Sequence, residues 1–229
     1  EALDAALTEQ EDIIGQVGEA LQAVNVAEDR NALKEVIEEK AAILGLDLTD
    51  YNTLIDDRKP SVSSDLLSNK PEDGYDLATL QEYFDAIVAT RLVTQASMDK
   101  VNNATSVEDL DGISWVTDLL AQFEAADEVY DYHSGIALSE KISTLQDLVG
   151  RYNALPEANQ EAALEAVLEG APYARSQATT EALDAALTEQ EDIIGQVGEA
   201  LQAVNVAEDR NTLKEVIEEK AAILGLDLT

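Results

Sequence analysis

The chain contains a long duplication. Residues 1–49 return as residues 181–229 with one difference, Ala32 in the first copy and Thr212 in the second. The copies begin 180 residues apart, so the 229-residue chain holds one unit of 180 residues and the first 49 residues of another. Unrelated segments do not match at 48 of 49 positions, so the chain is built from a tandem repeat. We expect it to be a piece of a longer polypeptide in which this unit recurs.

A weaker periodicity divides the unit. A Tyr-Asn pair, an apolar pair and an X-Pro pair occur twice, each offset by 101 residues: Tyr51-Asn52, Leu66-Leu67 and Lys70-Pro71, then Tyr152-Asn153, Val167-Leu168 and Ala171-Pro172. Both stretches run into a helical pattern that ends in Val-Asn. The sequence therefore predicts a terminal helix of a preceding module at 1–24, module A at 25–101, module B at 102–204, and the start of the next module A at 205–229.

Apolar residues recur at helical spacing along the whole chain. In the first segment they stand three and four apart, which places them on one helix face: Leu3, Leu7, Ile14, Val17, Leu21 and Val24. A second helix is expected at 28–44 with Gly45 as its C-cap, and Pro60 can open a short helix. Strand-like alternation never lasts more than a few residues. We predict an all-α fold of three-helix-bundle-like modules, joined end to end into an elongated rod.

Three local features carry further predictions about packing. Thr105-Ser-Val-Glu108 has the form of a capping box, which would begin a helix in module B. Trp115 shares a helical face with Leu119 and Phe123, so we expect it in the core. Gly15 and Gly18 cost helix stability relative to alanine, so we expect close packing to require them.

Charge excludes several classes of partner. The chain has 48 acidic and 14 basic residues, giving a formal net charge of −34 at pH 7. Such a surface repels polyanions, so we predict no binding to nucleic acid and none to an anionic membrane surface. No apolar run approaches the roughly 18 residues that a membrane-spanning helix needs, so no membrane insertion is expected.

Composition also removes most catalytic machinery. The chain has no cysteine and one histidine, His133, which excludes thiol nucleophiles, disulfides and zinc sites of the Cys/His type. His133 follows Asp131 and could act as an oriented base, but we predict a solvent-facing loop residue. The 48 acids would allow a carboxylate pair for glycoside hydrolysis. A single tryptophan, however, offers little for stacking sugars, so we predict no catalytic residue and no enzyme.

Two acidic clusters are the candidate calcium ligands. Calcium takes 6 to 8 oxygen ligands, and the clusters consist of Asp47, Asp50, Asp56 and Asp57, and of Glu108, Asp109 and Asp111. Neither matches the EF-hand loop, of which Asp109-Leu-Asp111-Gly112 supplies only a fragment. We therefore predict no cofactor and no defined metal site, and leave open a weak association with calcium.

Module A carries a pattern of small, aromatic and apolar residues that is more specific than helical spacing: Leu44-Gly45-Leu46-Asp47, Tyr51, Leu66-Leu67, Lys70-Pro71, Gly74-Tyr75 and Phe84. This pattern resembles a helical repeat of large exported bacterial surface proteins, especially of Gram-positive species, including surface-layer-associated enzymes and giant adhesins. The resemblance implies a helical module at the cell surface or cell wall, with a stalk-like role and no chemistry of its own. It carries no functional residue to this chain.

These observations together lead to one main hypothesis. The chain is predicted to be a non-catalytic repeat of a long extracellular adhesin or biofilm protein, a spacer that projects a binding domain and packs against neighbouring repeats. One alternative is a module that binds a host protein or glycan through the connections at 51–75 and 127–136. Another is surface-layer assembly, which would appear as calcium-dependent self-association.

Overall fold

A computed structural model describes residues 2–129 and 135–226. Helices account for its regular structure, and these residues form no strand, so the predicted all-α class is confirmed. Tyr51–Thr53 forms a short 3-10 helix between the second and third α-helices. The α-helices are α1 Ala2–Val26, α2 Arg30–Leu44, α3 Lys59–Ser68, α4 Leu77–Asn103, α5 Val107–Leu110, α6 Ser114–Val129, α7 Gly135–Ala154, α8 Glu157–Glu169, α9 Ser176–Asn205 and α10 Arg210–Lys220.

The chain divides into two compact units. The first takes the described residues of Glu1–Asp99 and Ser114–Gln146, and the second those of Lys100–Ile113 and Asp147–Thr229. Helices α4 and α7 therefore contribute residues to both units. The modules predicted from the sequence at 1–24, 25–101, 102–204 and 205–229 stay a prediction.

The ends of α2 follow from two residues. The Asp29 carboxylate accepts hydrogen bonds from the backbone N–H groups of Asn31 and Ala32, at 2.8 and 3.0 Å, and so satisfies donors that the first turn leaves unpaired. At the other end Gly45 has φ 64°, and the Leu46 N–H bonds to the Ala41 carbonyl at 2.9 Å. Gly45 is thus the predicted C-cap, because a left-handed residue here closes the helix.

The core of the first unit is aliphatic with a few aromatic side chains. Helix α3 packs against α2, and Tyr51 and Phe84 lie in ring contact with centroids 5.8 Å apart. Trp115 is buried, as predicted, and its carbonyl accepts a 2.9 Å hydrogen bond from the Ser97 hydroxyl. Other fully buried side chains in this unit are Leu33, Ile37, Leu44, Val62, Leu66 and Leu80.

The second unit is centred on the packing of α8 against the N-terminal half of α9. Pro156 directly precedes α8 as its N-cap residue. Most of the buried side chains of these two helices are small or aliphatic. They include Ala163, Leu164 and Val167 from α8, and Leu183, Ala186 and Leu187 from α9, all of them buried.

Two local predictions need correction. The capping box lies one residue later than predicted, with Ser106 at the N-cap and Asp109 as its partner. The reason is that the Asp109 carboxylate reaches back to the N–H groups of both Thr105 and Ser106, at 2.8 and 3.0 Å. Close packing does not explain Gly15 and Gly18 either, because a Cβ at either position would meet nothing within 4 Å.

Candidate functional sites

The first acidic cluster is held by hydrogen bonds within the protein. The Asp47 carboxylate accepts the Thr49 N–H at 2.8 Å, and hydrogen bonds from Thr49 lower the pKa of Asp47. Asp56 receives the Lys59 ammonium at 3.2 Å. Asp85 lies near this cluster, and its pKa is raised by burial and then by the negative charges of Asp47 and Asp50. The electrostatic field around this cluster is therefore negative. Of its carboxylates, Asp47 stabilises a turn and Asp56 forms an ion pair.

The second acidic cluster begins α5. The Asp109 carboxylate accepts two backbone N–H groups and the Thr105 hydroxyl, the last at 2.9 Å, and the bond from the Thr105 N–H is the main reason that the pKa of Asp109 is lowered. Asp111 has φ 54°, a left-handed conformation that ends the helix. The cluster thus forms both ends of a four-residue helix.

The structure brings neither cluster together as a metal site. Among residues 2–129 and 135–226, no group of three acidic or histidine side chains could hold a metal ion. The weak association with calcium stays a prediction. His133 and Asp131 lie outside the described residues, as does half of the 127–136 connection proposed for ligand binding. Much of the other such segment, 51–75, is folded into the first unit, with Tyr51 and Leu54 buried.

A polar contact that the sequence did not predict joins the end of α1 to the start of α4. The Asn25 side chain donates to the Tyr75 carbonyl at 2.9 Å and accepts from the Tyr75 N–H at 2.7 Å. The Lys70 ammonium donates to the Asn25 carbonyl at 3.0 Å. Gly74 has φ 82°, and the Asn25 side chain lies 3.0 Å from where a Cβ would stand, so glycine is required there. We call this paired bond an asparagine clamp.

The second unit repeats the asparagine clamp. The Asn102 side chain donates to the Tyr173 carbonyl at 2.8 Å and accepts from the Tyr173 N–H at 2.6 Å. In both clamps the tyrosine hydroxyl bonds back to a helix carbonyl, from Tyr75 to Leu66 at 2.8 Å and from Tyr173 to Val167 at 2.7 Å. The recurring Val-Asn at helix ends was visible in the sequence. Its tyrosine partner was not, because 50 residues separate the pair in one clamp and 71 in the other.

Arg151 forms the densest ion pair network of the second unit. Its guanidinium bonds both carboxylate oxygens of Glu191 at 2.9 Å, the Thr188 hydroxyl at 2.8 Å, and the Asp184 carboxylate. Hydrogen bonds from Arg151 lower the pKa of Glu191. These bonds tie the C-terminal part of α7 to α9.

Tyr51 links α2 to the residues that follow it. Its hydroxyl donates to Glu38 at 3.0 Å, and the Lys59 ammonium lies 5.6 Å from the centre of its ring. Burial, followed by the nearby Glu38 carboxylate, raises the pKa of Tyr51 well above its ordinary value. The phenol therefore stays protonated near neutral pH and acts as a donor.

A shallow depression runs along α10, lined by Arg210, Leu213, Lys214, Ile217 and Glu218. The depression thus combines the apolar side chains of Leu213 and Ile217 with side chains of both charges.

No helix in the described part of the chain is long and apolar enough to cross a membrane.

Comparison with known proteins gives one partial similarity. A gellan lyase of a Bacillus species is 37% identical over 90 residues, which are 38% of this chain and 4% of that protein. The chain thus spans a small fraction of the length of this relative. No family model matches the chain. No solved structure matches it.

This similarity overturns two predictions. The hypothesis of a non-catalytic adhesin spacer, with its ligand-binding and surface-layer alternatives, is wrong, and so is the prediction that the chain is no enzyme, because the relative is an enzyme. The physical reason is that helical periodicity and an acidic surface specify how a chain folds, and one fold serves proteins of different activities. Those patterns could not separate an enzyme from an adhesin.

Proposed function

We propose that this chain is part of a polysaccharide lyase. The observation that carries the proposal is the 37% identity with a gellan lyase over 90 residues. A lyase breaks a glycosidic bond by elimination, in which a base removes a proton beside a carboxyl group and the sugar oxygen leaves. The substrate of such a reaction is therefore a polysaccharide that carries carboxylates.

Elimination requires a base, an acid for the leaving oxygen, and a group that stabilises charge on the substrate carboxylate. Tyrosine, lysine, arginine, aspartate and glutamate are described residue types suited to these roles. Several of them have other partners: Arg151 bonds Glu191, and the Tyr75 hydroxyl donates to the Leu66 carbonyl. We therefore assign no catalytic residue, and propose activity for the polypeptide to which the chain belongs.

Charge gives this proposal a measurable consequence. A chain of net charge −34 repels a substrate that carries carboxylates. Salt screens that repulsion, with a Debye length of about 10 Å at 0.1 M ionic strength. We therefore expect KM for the polysaccharide to fall as ionic strength rises from low values, while kcat changes little.

The organisation of the chain and its location form part of the same proposal. A polysaccharide too large to enter a cell is degraded outside it, which supports an extracellular or cell-surface location, as the family resemblance of module A implies. The repeated 180-residue unit supports bundles that follow one another along the polypeptide.

The test is elimination on gellan. A lyase polypeptide that carries these 229 residues is compared with the same polypeptide lacking them. Unsaturated ends are followed by ultraviolet absorbance, and reducing ends are counted in parallel to detect hydrolysis. A lower rate of unsaturated-end formation after the deletion supports the proposal. Unchanged kcat and KM after the deletion, or reducing ends without unsaturation, contradict it.

A further inference from the structure

One helix face in the second copy of the duplicated segment is uncovered. The apolar residues along α10 and just beyond it are half-exposed or exposed, and Leu226 has 46% of its surface exposed. The matching residues of the first copy are buried, including Leu46 at 7%. The uncovered residues are Leu213, Ile217, Ala221, Leu224 and Leu226, and their buried counterparts are Leu33, Ile37, Ala41, Leu44 and Leu46.

In the first copy this face is covered by the residues that follow it. Helix α3 packs on α2, and buried apolar side chains of 51–88 fill the space beside it: Tyr51, Val62, Leu66, Leu80 and Phe84. Polar contacts fix the arrangement. The Gln81 side chain donates to the Leu44 carbonyl at 2.7 Å, and the asparagine clamp ties Asn25 to Tyr75. The cover of α2 thus comes from within residues 50–103.

The second copy keeps the features that this cover contacts. The single substitution, Thr212, is exposed in the first turn of α10, where its hydroxyl lies 3.1 Å from the Asp209 carboxylate. Gly225 has φ 65°, close to the 64° of Gly45. A Cβ at Gly45 would stand 2.6 Å from the Gln81 side chain, whereas one at Gly225 would meet nothing within 4 Å. The second copy thus keeps the backbone conformation that leaves room for Gln81 in the first copy, although no side chain lies beside Gly225.

The helix pair forms without its cover. Helix α10 packs against α9 as α2 packs against α1, and Ala200 is as buried as Ala20. What differs is the last turn, since α2 continues to Leu44 whereas α10 ends at Lys220, the counterpart of Lys40. The apolar face of α10 is thus already formed by the helix pair alone. Only the last helical turn, which α2 has and α10 does not, is missing.

We propose that the α10 face binds a further copy of residues 50–103, supplied by the rest of the second 180-residue unit, whose first 49 residues include α10. Docking buries the half-exposed apolar row, extends α10 toward Leu224, and forms a third asparagine clamp at Asn205. The 180-residue unit thus does not fold as a closed body, because the helix pair that begins a unit packs against α8 of the unit before it and is covered by residues 50–103 of its own unit. This inference is independent of the lyase proposal.

A second, separate copy of this chain is not the occupant. Each chain has one segment of this sequence, and its own α2 already covers it. Binding in trans would require that segment to leave α2 and would expose as much apolar surface as it covers. The rest of the second unit carries no such cost, because its copy of the segment has no other helix pair to cover.

The absence of cysteine makes a thiol-labelling test direct. Ile217→Cys is introduced into the 229-residue chain, and into the same chain extended at its C-terminus by a copy of residues 50–103. We expect the labelling rate of the thiol to fall about tenfold or more on extension, since a buried position reacts only when the structure opens locally. Ile37→Cys in the 229-residue chain gives the rate for a covered face.

A matched control carries Leu66→Asp and Phe84→Asp within the appended copy only, and it should leave the thiol as reactive as in the chain without extension. Hydrogen exchange of the unsubstituted proteins is the second measurement, because it needs no change in the core. Peptides that include residue 32 or 212 are told apart by the Ala32 and Thr212 difference. The proposal would be overturned if the extension changed neither the labelling rate of the thiol nor the hydrogen exchange of α10. Protection in the 229-residue chain that grows with its concentration would also overturn it, because such protection would identify a second chain as the occupant.

Discussion

The two copies of the duplicated segment have almost the same sequence but are covered at opposite ends. In the second copy α8 covers the N-terminal half of the long helix, where Leu187 is fully buried, whereas Leu7 of the first copy is 51% exposed. In the first copy α3 and Tyr51 cover the C-terminal helix, where Ile37 is fully buried and its counterpart Ile217 is half-exposed. The same 48 residues thus occupy two environments.

This difference separates what the segment determines by itself from what its neighbours determine. Both copies form the same helix pair, with Asp29 and Asp209 as equivalent N-caps. The burial of the apolar stripe depends on which flanking helices are present. The N-cap and the first turns of this helix are therefore local properties of the sequence, whereas its last turn and its core depend on the residues on either side.

The largest contrast is expected between Ile37→Ala and Ile217→Ala. Removing a fully buried isoleucine costs about 2–5 kcal/mol of unfolding free energy, while the half-exposed position should cost about 1 kcal/mol or less. Trp115, the single tryptophan, lies in the first unit with Ile37. Its fluorescence during urea denaturation should show a large shift for Ile37→Ala and none for Ile217→Ala. Equal shifts would mean that the two faces are covered alike.

The opposite contrast is expected at the other end of the segment. Leu187→Ala should destabilise the second unit by about 2–5 kcal/mol, because Leu187 is fully buried. Leu7→Ala changes an exposed side chain and should lie within about 0.5 kcal/mol of the unsubstituted chain. Urea denaturation followed by far-ultraviolet circular dichroism measures both variants. A Leu7→Ala variant as unstable as Leu187→Ala would refute the exposure of α1.

The asparagine clamp provides an intermediate effect. Asn25→Ala leaves the N–H and the carbonyl of Tyr75 without their partner, which costs about 1–3 kcal/mol when such groups are buried. Asn205 is exposed, so Asn205→Ala should change stability by less than about 0.5 kcal/mol. Asn102→Ala is the positive control, since Asn102 makes the equivalent pair of bonds to Tyr173 in the second unit. Thermal unfolding of the three variants makes the comparison, and an Asn205→Ala variant as unstable as the other two would contradict it.

The sequence predicted the helices better than their contacts. Spacing of apolar residues indicated α2 and the helix that carries Trp115, Pro60 marked the start of α3, and glycine chemistry placed the C-cap at Gly45. These features depend on residues within one or two turns. The stripe on α1 was predicted as one continuous face, yet Leu7 and Ile14 are exposed. Periodicity states which side of a helix is apolar, and the presence of a partner depends on residues far away in the chain.

The candidate sites show the same limit. The acidic clusters at Asp47 and Asp109 were visible in the sequence, but their hydrogen bonds to turns and helix ends were not. The asparagine clamps were missed because α2 and α3 lie between Asn25 and Tyr75 in the chain, which places the two residues 50 positions apart. The prediction that the chain is no enzyme was wrong, since the counts of cysteine, histidine and tryptophan in one stretch of chain do not decide the activity of the protein that contains it.

A smaller effect, equal in the two copies, is expected at the glycines inside α1 and α9. A Cβ at Gly15 or at Gly195 would meet nothing within 4 Å. Gly15→Ala and Gly195→Ala should therefore each stabilise the chain by about 0.4–1 kcal/mol, because alanine restricts the unfolded chain without a clash in the helix. Gly45→Ala is the contrasting control and should destabilise, since φ is 64° and Gln81 lies 2.6 Å from the new Cβ. Thermal denaturation of the three variants measures these changes. A loss of stability in Gly15→Ala or Gly195→Ala would contradict the open space around these two glycines.

The smallest expected effect concerns the helix caps, where the copies differ by one hydroxyl. The Ala32 N–H lowers the pKa of Asp29, and the Thr212 N–H lowers that of Asp209. Because each folded pKa lies below the unfolded value of about 3.9, the caps stabilise the protein above that pH. This contribution is lost as pH falls through the folded pKa.

The Thr212 hydroxyl is an additional donor to Asp209, at 3.1 Å. Thr212→Ala should therefore raise the pKa of Asp209 toward that of Asp29, and Ala32→Thr should lower the pKa of Asp29. Carboxyl chemical shifts followed by NMR through an acid titration measure four pKa values: those of Asp29 with and without Ala32→Thr, and those of Asp209 with and without Thr212→Ala. If the two substitutions left both pKa values unchanged, the backbone N–H groups alone would set them, and the single difference between the copies would be without effect on the cap.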